Sequence, residues 1–255
     1  MSLIKMKNRV GEINENNYLS TMEIVEYNGA LDVVVKFDND KLVHTSYNKF
    51  KKGQVRNPYD PSVCEVGYLG EGKHKASENG KQTKVYVVWY SMLNRAYSEK
   101  FHKRQSTYKE VTVCQEWWNF QNFAEWFYEN YYEIDNEPIS LDKDILVKGN
   151  KVYSAETCVF VPDRLNTLIV NCNSARGSLP IGVTFNKITK KYQTQCANGK
   201  GEVVPLGHYN SPEEAFEVYK QFKENVIKQV VSEYQNKIPN KLYHSLYSWK
   251  IEIDD

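Results

Sequence analysis

Nine Lys and Arg residues fall between positions 73 and 109: Lys73, Lys75, Lys81, Lys84, Arg95, Lys100, Lys103, Arg104 and Lys109. Only two acids, Glu78 and Glu99, share that stretch, so the local balance is 9 − 2 = +7. Residues 110–144 reverse it, with nine acids against Lys143 alone, and residues 145–203 turn basic again, eight against three. Cations at this density suit phosphate contacts. The formal net charge is only +1, so the segregation carries the information, because a fold can present a basic face while the chain stays near neutral. Charge alone fits equally well a fold in which the blocks neutralise one another. The five Cys (64, 114, 158, 172 and 196) are widely spaced and odd in number. They lack the C-x-x-C pairs of a structural zinc site and fit reduced thiols. Cys114 and Cys158 lie in apolar runs and read as core. No Gly-rich phosphate loop and no local context for a Cys–His hydrolase is present.

The elements that must position these residues can be read from periodicity. Residues 1–60 read as β: Met22–Tyr27, Leu31–Phe37 and Lys41–Thr45 are strands, with turn chemistry at Asp38-Asn39-Asp40 and a break at Asn57-Pro58. Asn79-Gly80 is a turn. Val85, Val88, Trp89, Met92, Leu93 and Ala96 recur at helical spacing, and a basic loop, Lys100–Lys109, follows. Val111–Cys114 is a short strand. Phe120, Phe123, Ala124, Phe127 and Tyr131 mark a second amphipathic helix, its aromatics expected in the core. Two short strands, in ISLDKDI and TCVFV, precede a short helix from Leu165 to Ile169, and Asn171–Leu179 is a linker by composition. Ile181–Phe185, Lys191–Ala197 and Val203–Tyr209 are three strands with an Asn-Gly turn at 198–199. Ser211-Pro212-Glu213-Glu214 then opens a long helix, with Ser as cap and Glu214 completing a capping box. The tail suggests a short helix and a final strand, WKIEI.

Several of these residues resemble a known family. Trp89-x-x-Met92-Leu93-x-Arg95-x-Tyr97, Val113-Cys114-x-Glu116-Trp117 and Phe120-x-x-Phe123 are followed by Ser140-Leu141-Asp142-Lys143-Asp144, Gly149-Asn150-Lys151 and Tyr153-Ser154-x-Glu156-Thr157-Cys158-x-Phe160-Val161. In this order, over about residues 67–170, they resemble HNH homing-endonuclease-like proteins of bacteriophages. The resemblance implies a ββα-metal core holding one divalent ion, magnesium or manganese, with a His as general base and an Asn orienting it. It implies catalytic positions at Asp142, Lys143, Asp144 and Asn166, with Asp142 and Asp144 as metal ligands. Lys143 stands where the family has His, and Thr157 where it has Asn. A Lys between two aspartates is held in its charged form and is a poor base near neutral pH.

A second resemblance covers Leu179–Glu224. Ile181-Gly182-Val183-x-Phe185, Lys191-Tyr192-x-x-x-Cys196, Leu206-Gly207-x-Tyr209 and Glu213-Glu214-Ala215-Phe216-x-x-Tyr219 resemble the Apetala-two-type DNA-binding domain. That implies a three-stranded sheet entering the major groove, with Lys187, Lys190, Lys191, Gln193 and Lys200 as contacts. No Arg lies between Ile181 and Tyr209, unlike the Arg-rich sheets of that family. Arg95, Lys100, Lys103 and Arg104 are further DNA-binding candidates. The N-terminal run through Tyr47, Phe50, Gly53 and Asn57-Pro58 resembles small barrels that precede HNH-like cores, with Lys49, Lys51, Lys52 and Arg56 available to phosphate.

A length of 255 residues bounds the chain to one large domain or a few small ones. Hydrophobic residues are 41% and charged residues 25%, which excludes a largely disordered or fibrous protein. No apolar run reaches the roughly 18 residues of a membrane span, and the first residues lack a signal-peptide core, so a soluble, intracellular protein is expected. The expected fold class is α+β in three parts: a small β module (1–60), an HNH-like ββα domain with flanking helices (61–172), and a three-stranded antiparallel sheet packed on one long helix (173–255). The expected partner is double-stranded DNA in a bacterial host cytoplasm. The expected function is duplex-DNA binding, with metal-dependent nicking or cleavage through a degenerate site left open, and the alternatives are a non-catalytic DNA-binding or regulatory protein on a nuclease scaffold, or a protein-interaction module that blocks a host or phage factor.

Overall fold

The computed structural model describes residues 8–169 and 179–253. It is a mixed α and β structure of seven helices and several small sheets among those residues. The chain divides into two compact units, Met1–Glu129 and Asn130–Asp255, whereas composition set boundaries near 60 and 172. The linker expected at 171–179 lies, but for Leu179, outside the described residues.

In the first unit, β1 (Ile13–Glu15), β2 (Thr21–Gly29), β3 (Asp32–Phe37) and β4 (Leu42–Thr45) form an antiparallel meander in sequence order. β3 is rich in β-branched residues because it is central, and Val33, Val34, Val35 and Phe37 are buried. With Met22, Ile24, Phe50 and Val55 they make a small core. Asp40 turns the chain between β3 and β4 in the left-handed region. A short helix, α1 (Tyr47–Lys51), capped by Ser46, follows. The Asn16 amide donates to Asp60 Oδ2 at 2.6 Å, and the Asn57 backbone N–H reaches the same oxygen at 3.1 Å, so the buried Asp60 ties the sheet to the 55–62 segment.

A two-residue-per-strand hairpin, β5 (Ser77–Glu78) and β6 (Lys81–Gln82), turns at Asn79-Gly80, both with positive φ. The helical pair follows the expected periodicity. α2 (Lys84–Tyr97), capped by Thr83, buries Val85, Trp89, Met92, Leu93 and Ala96. α4 (Phe120–Asn130) buries Phe120, Phe123, Ala124 and Phe127, and Tyr131 falls just beyond its end. The Trp89 indole donates to the Trp117 carbonyl at 2.7 Å, which satisfies the one polar atom of a fully buried ring. Between these helices the basic segment is folded, not a loose loop: α3 (Glu99–His102) and a 3-10 turn (Ser106–Tyr108) precede β7 (Thr112–Val113).

In the second unit, β8 (Ile139–Asp142) pairs antiparallel with β10 (Val159–Pro162), and α5 (Asp163–Ile169) follows directly. The intervening loop contains β9 (Val152–Tyr153). β11 (Val183–Asn186), β12 (Lys191–Ala197) and β13 (Val203–Tyr209) form the antiparallel sheet, with β12 central. α6 (Pro212–Ser232) lies against it, and α7 (Asn240–Tyr247) packs on α6. One core holds Val159, Val161 and Leu165 together with Val183, Cys196, Phe216, Val226 and Leu246, so the ββα hairpin and the sheet-plus-helix are parts of one body. Ser211 Oγ accepts from the Glu214 N–H at 3.2 Å, as expected of the cap. The Glu214 carboxylate returns to the N–H of Asn210, one residue earlier than in a standard capping box.

The expected terminal strand does not form. Ile251 is buried, yet its N–H goes to Glu224 Oε1 at 3.1 Å instead of to a sheet, and Lys250 Nζ reaches Glu224 Oε2 at 3.0 Å. Burial by itself would raise the Glu224 pKa. The Lys250 ammonium and the Ile251 N–H outweigh it and hold the carboxyl below its ordinary range. A depressed pKa means stabilisation that is present above the ordinary Glu pKa and lost as pH falls through the lowered value. Glu224→Gln is expected to cost about 1–3 kcal/mol at pH 7 and to flatten the acid limb of stability, measured as urea midpoints between pH 3 and 7. Coincident profiles for the two proteins would contradict this clamp. Gly182 has φ +74, and a Cβ there would run into the Tyr219 ring. Gly182→Ala is therefore expected to destabilise by about 1–3 kcal/mol, read from the same midpoints.

Candidate nucleic-acid interface and ββα hairpin

The β11–β13 sheet has two chemically different faces because side chains alternate along each strand. On β12 the inward positions are Tyr192, Thr194 and Cys196, packed toward α6. Thr194 is buried, and its hydroxyl donates to the Gly182 carbonyl at 2.7 Å. The outward positions are Lys191, Gln193, Gln195 and Ala197. Register extends this face across the sheet: Thr184, Gln193 and His208 form one row, Asn186 and Lys191 a second, Gln195 and Pro205 a third. The register shifts between Thr194 and Gln195, leaving Leu206 as the extra residue of a bulge. Leu206 packs against the core and His208 stays on the outer face.

Lys191 and Gln193 thus lie on the open face. Lys187 and Lys190 sit in the β11–β12 turn, and Lys200 in the β12–β13 turn at the opposite end of β12. None of these four lysines forms an ion pair with a described residue. The sheet segment 181–209 holds four Lys and a single acid, Glu202, whose carboxylate is taken by the Asn198 amide at 2.8 Å. Thr184, Asn186, Gln195 and His208 share the face but were not among the expected contacts. Strict alternation outward from Gln193 was the signal that could have found them.

In the first unit, Lys100, Lys103 and Arg104 are exposed on α3 and the turn after it. Ser98 caps this short helix, and Phe101 meets Tyr108 edge-on at 5.4 Å, which holds the cations on a defined surface. Arg95 is half-buried on α2, and its carbonyl is bonded by the ring of His102 at 2.9 Å.

The segment expected to do chemistry forms a braced hairpin. Asp142 ends β8, and its Oδ1 accepts from the N–H groups of Asp144 and Ile145, both at 2.8 Å. Lys143 Nζ lies 3.0 Å from Asp144 Oδ2, with its side chain only 12% exposed and the Tyr153 ring 6.0 Å away. The Asn150 amide donates to the carbonyls of Lys143 and Val152, each at 2.7 Å. Thr157 bonds the Val152 carbonyl at 2.8 Å and the Ser154 hydroxyl at 3.1 Å, so it braces the loop and orients no base. Asn166 is half-buried on α5, and no hydrogen bond joins it to Asp142, Lys143 or Asp144.

Both carboxylates of the expected metal pair already have partners. One aspartate is committed to two backbone donors and the other to an ammonium, which supplies the positive charge an ion would bring. Among the described residues no three His, Cys, Asp or Glu side chains converge on a metal-sized site. The Asp142 carboxyl is pushed up to about 6, first by burial and then by the charge of Asp144, against the lowering effect of its two backbone donors.

No known protein family's sequence profile matches the chain, and no curated protein or solved structure is significantly similar to it.

The raised Asp142 pKa favours the folded protein below the ordinary Asp range, and that contribution is lost as pH rises through about 6. Asn keeps the carbonyl acceptor without the charge. Asp142→Asn is therefore expected to be the more stable protein at pH 7.5, by about 1–3 kcal/mol, and to match wild type near pH 4. A variant less stable than wild type at pH 7.5 in urea titrations would contradict the assignment.

Proposed function

We propose that this protein binds duplex DNA through the open face of the β11–β13 sheet and the lysines of its turns, and that it does so without cutting. The observation that carries the reading is the composition of that face: Thr184, Asn186, Lys191, Gln193, Gln195 and His208, with no acid among them and no ion partner for its lysine. A sheet face of this kind is narrow enough for the major groove. Its Gln side chains carry both donor and acceptor, as adenine edges require, while Asn186 is engaged in the turn, and Lys191 with the lysines of the turns suits guanine or phosphate. The exposed Lys100, Lys103 and Arg104 add sequence-independent phosphate contacts. Such a protein acts where DNA is exposed, in the cytoplasm of a bacterial host, as a binding or regulatory factor.

The competing reading, an HNH-like nuclease that uses magnesium or manganese at Asp142 and Asp144, is weakened by the prior commitments of both carboxylates and by Lys143 in the place of a base. The resemblance of residues 67–170 to that family supports a shared ββα scaffold more than a shared reaction.

Fluorescence anisotropy with a mixed-sequence duplex tests the proposal. Affinity is expected to fall steeply with salt. Changing Lys187, Lys190 and Lys191 together to Gln is expected to reduce the slope of log affinity against log salt by about 3, and changing Lys100, Lys103 and Arg104 to Gln is expected to weaken binding uniformly across sequences. Supercoiled plasmid is expected to stay supercoiled with either metal. Affinity that ignores salt would remove the proposal, and metal-dependent nicking lost in Asp144→Ala would restore the nuclease reading.

A further inference from the structure

The turn joining β11 to β12 carries an apolar side chain at its tip. Ile188 is 93% exposed, more than any other large hydrophobic residue among those described. A lone exposed apolar residue means nothing by itself. Leu31 is the internal control: it is 89% exposed beside the β2–β3 turn, between Ala30 and Asp32, with no cation adjoining it.

Ile188 differs from Leu31 in two ways. First, it is surrounded by positive charge. Lys187 precedes it, Lys190 and Lys191 follow within three residues, all are exposed, and none is paired with a described acid. Second, the turn is pinned. Asn186 Oδ1 accepts from the N–H of Ile188 at 2.9 Å and of Thr189 at 3.1 Å. The Lys190 N–H returns to the Asn186 carbonyl at 2.9 Å, with Lys190 in the left-handed region. The turn chemistry is complete without the isoleucine side chain, which is therefore free for another use. A β-branched side chain also has few rotamers to lose on insertion.

The geometry points to Ile188 as an intercalating wedge that enters between stacked base pairs of duplex DNA while Lys187, Lys190 and Lys191 neutralise the flanking phosphates. Apolar wedges of this size unstack a base step and kink the duplex. The cost falls where the step is already weak, as at a mismatch or a flexible pyrimidine–purine step. This inference rests on the DNA-binding reading above and adds to it a deformation of the bound duplex.

The test is energy transfer between dyes at the two ends of a duplex of about 30 base pairs, matched or with one central mismatch. Full-length wild type, Ile188→Ser and Ile188→Leu are compared at equal saturation. Wild type and Ile188→Leu are expected to shorten the end-to-end distance and to prefer the mismatched duplex by about tenfold. Ile188→Ser is expected to bind with an unchanged salt slope, to lose the shortening and to lose the preference. Equal shortening by Ile188→Ser overturns the wedge and leaves the binding reading intact. Absence of wild-type binding to either duplex at low salt overturns both. Binding to anionic lipid vesicles that depends on Ile188, with no change in the duplex, assigns the tip to a membrane surface and overturns the wedge.

Discussion

The apolar stripe of α6, Ala215, Phe216, Tyr219, Val226 and Val230, packs against one face of the β11–β13 sheet, and the arrangement of the second unit follows from that contact. Each fully buried side chain of this kind is worth about 1.5–3 kcal/mol, so the sheet has no freedom to turn over. A one-residue slip in register would bring Gln193 and Gln195 inward and expose Cys196 and Tyr192. The polar face is thus a consequence of the apolar one. The bulge at Leu206 lets β13 bury one more residue and still present His208 beside Gln193.

The same core reaches under the ββα hairpin through Ile145, Val159, Val161 and Leu165. That packing explains why a loop with two aspartates and a lysine at its first turn is so fully bonded. Asp142 is drawn toward the interior, and its charge is costly there, so its carboxyl titrates near 6 despite two backbone donors. Lys143 compensates Asp144 within hydrogen-bond reach. The hairpin thus pairs one of its aspartates with the lysine and leaves the other to backbone donors alone.

Much of this was legible in the sequence. The stripes of α2 and α4 and the cap of α6 showed their elements directly, because helical spacing and capping chemistry are local. The three C-terminal strands were legible from their runs and from the Asn198-Gly199 turn. What was not legible depended on partners distant in sequence. The WKIEI tail has strand-like alternation, but Glu224 takes its backbone donor, and no local pattern announces that. The fold of the basic segment 99–111 comes from the Phe101–Tyr108 contact in a stretch that composition reads as loop. On the sheet face, Lys191 and Gln193 were named through the family resemblance, while Thr184, Gln195 and His208 needed strand alternation and register. The commitments of Asp142 and Asp144 became visible only as hydrogen bonds, since their spacing alone fits a metal pair and a lysine-bridged turn equally.

The most direct test of the account is a backbone-amide NMR titration of the protein with a short mixed-sequence duplex at low salt. The largest shift changes are expected on the outward rows of β11–β13, centred on Thr184, Gln193 and His208, and on the turn around Ile188, while the β8–β10 hairpin around Asp142 changes little. Shift changes concentrated on Asp142–Ile145 with the sheet silent, or none anywhere, would contradict it.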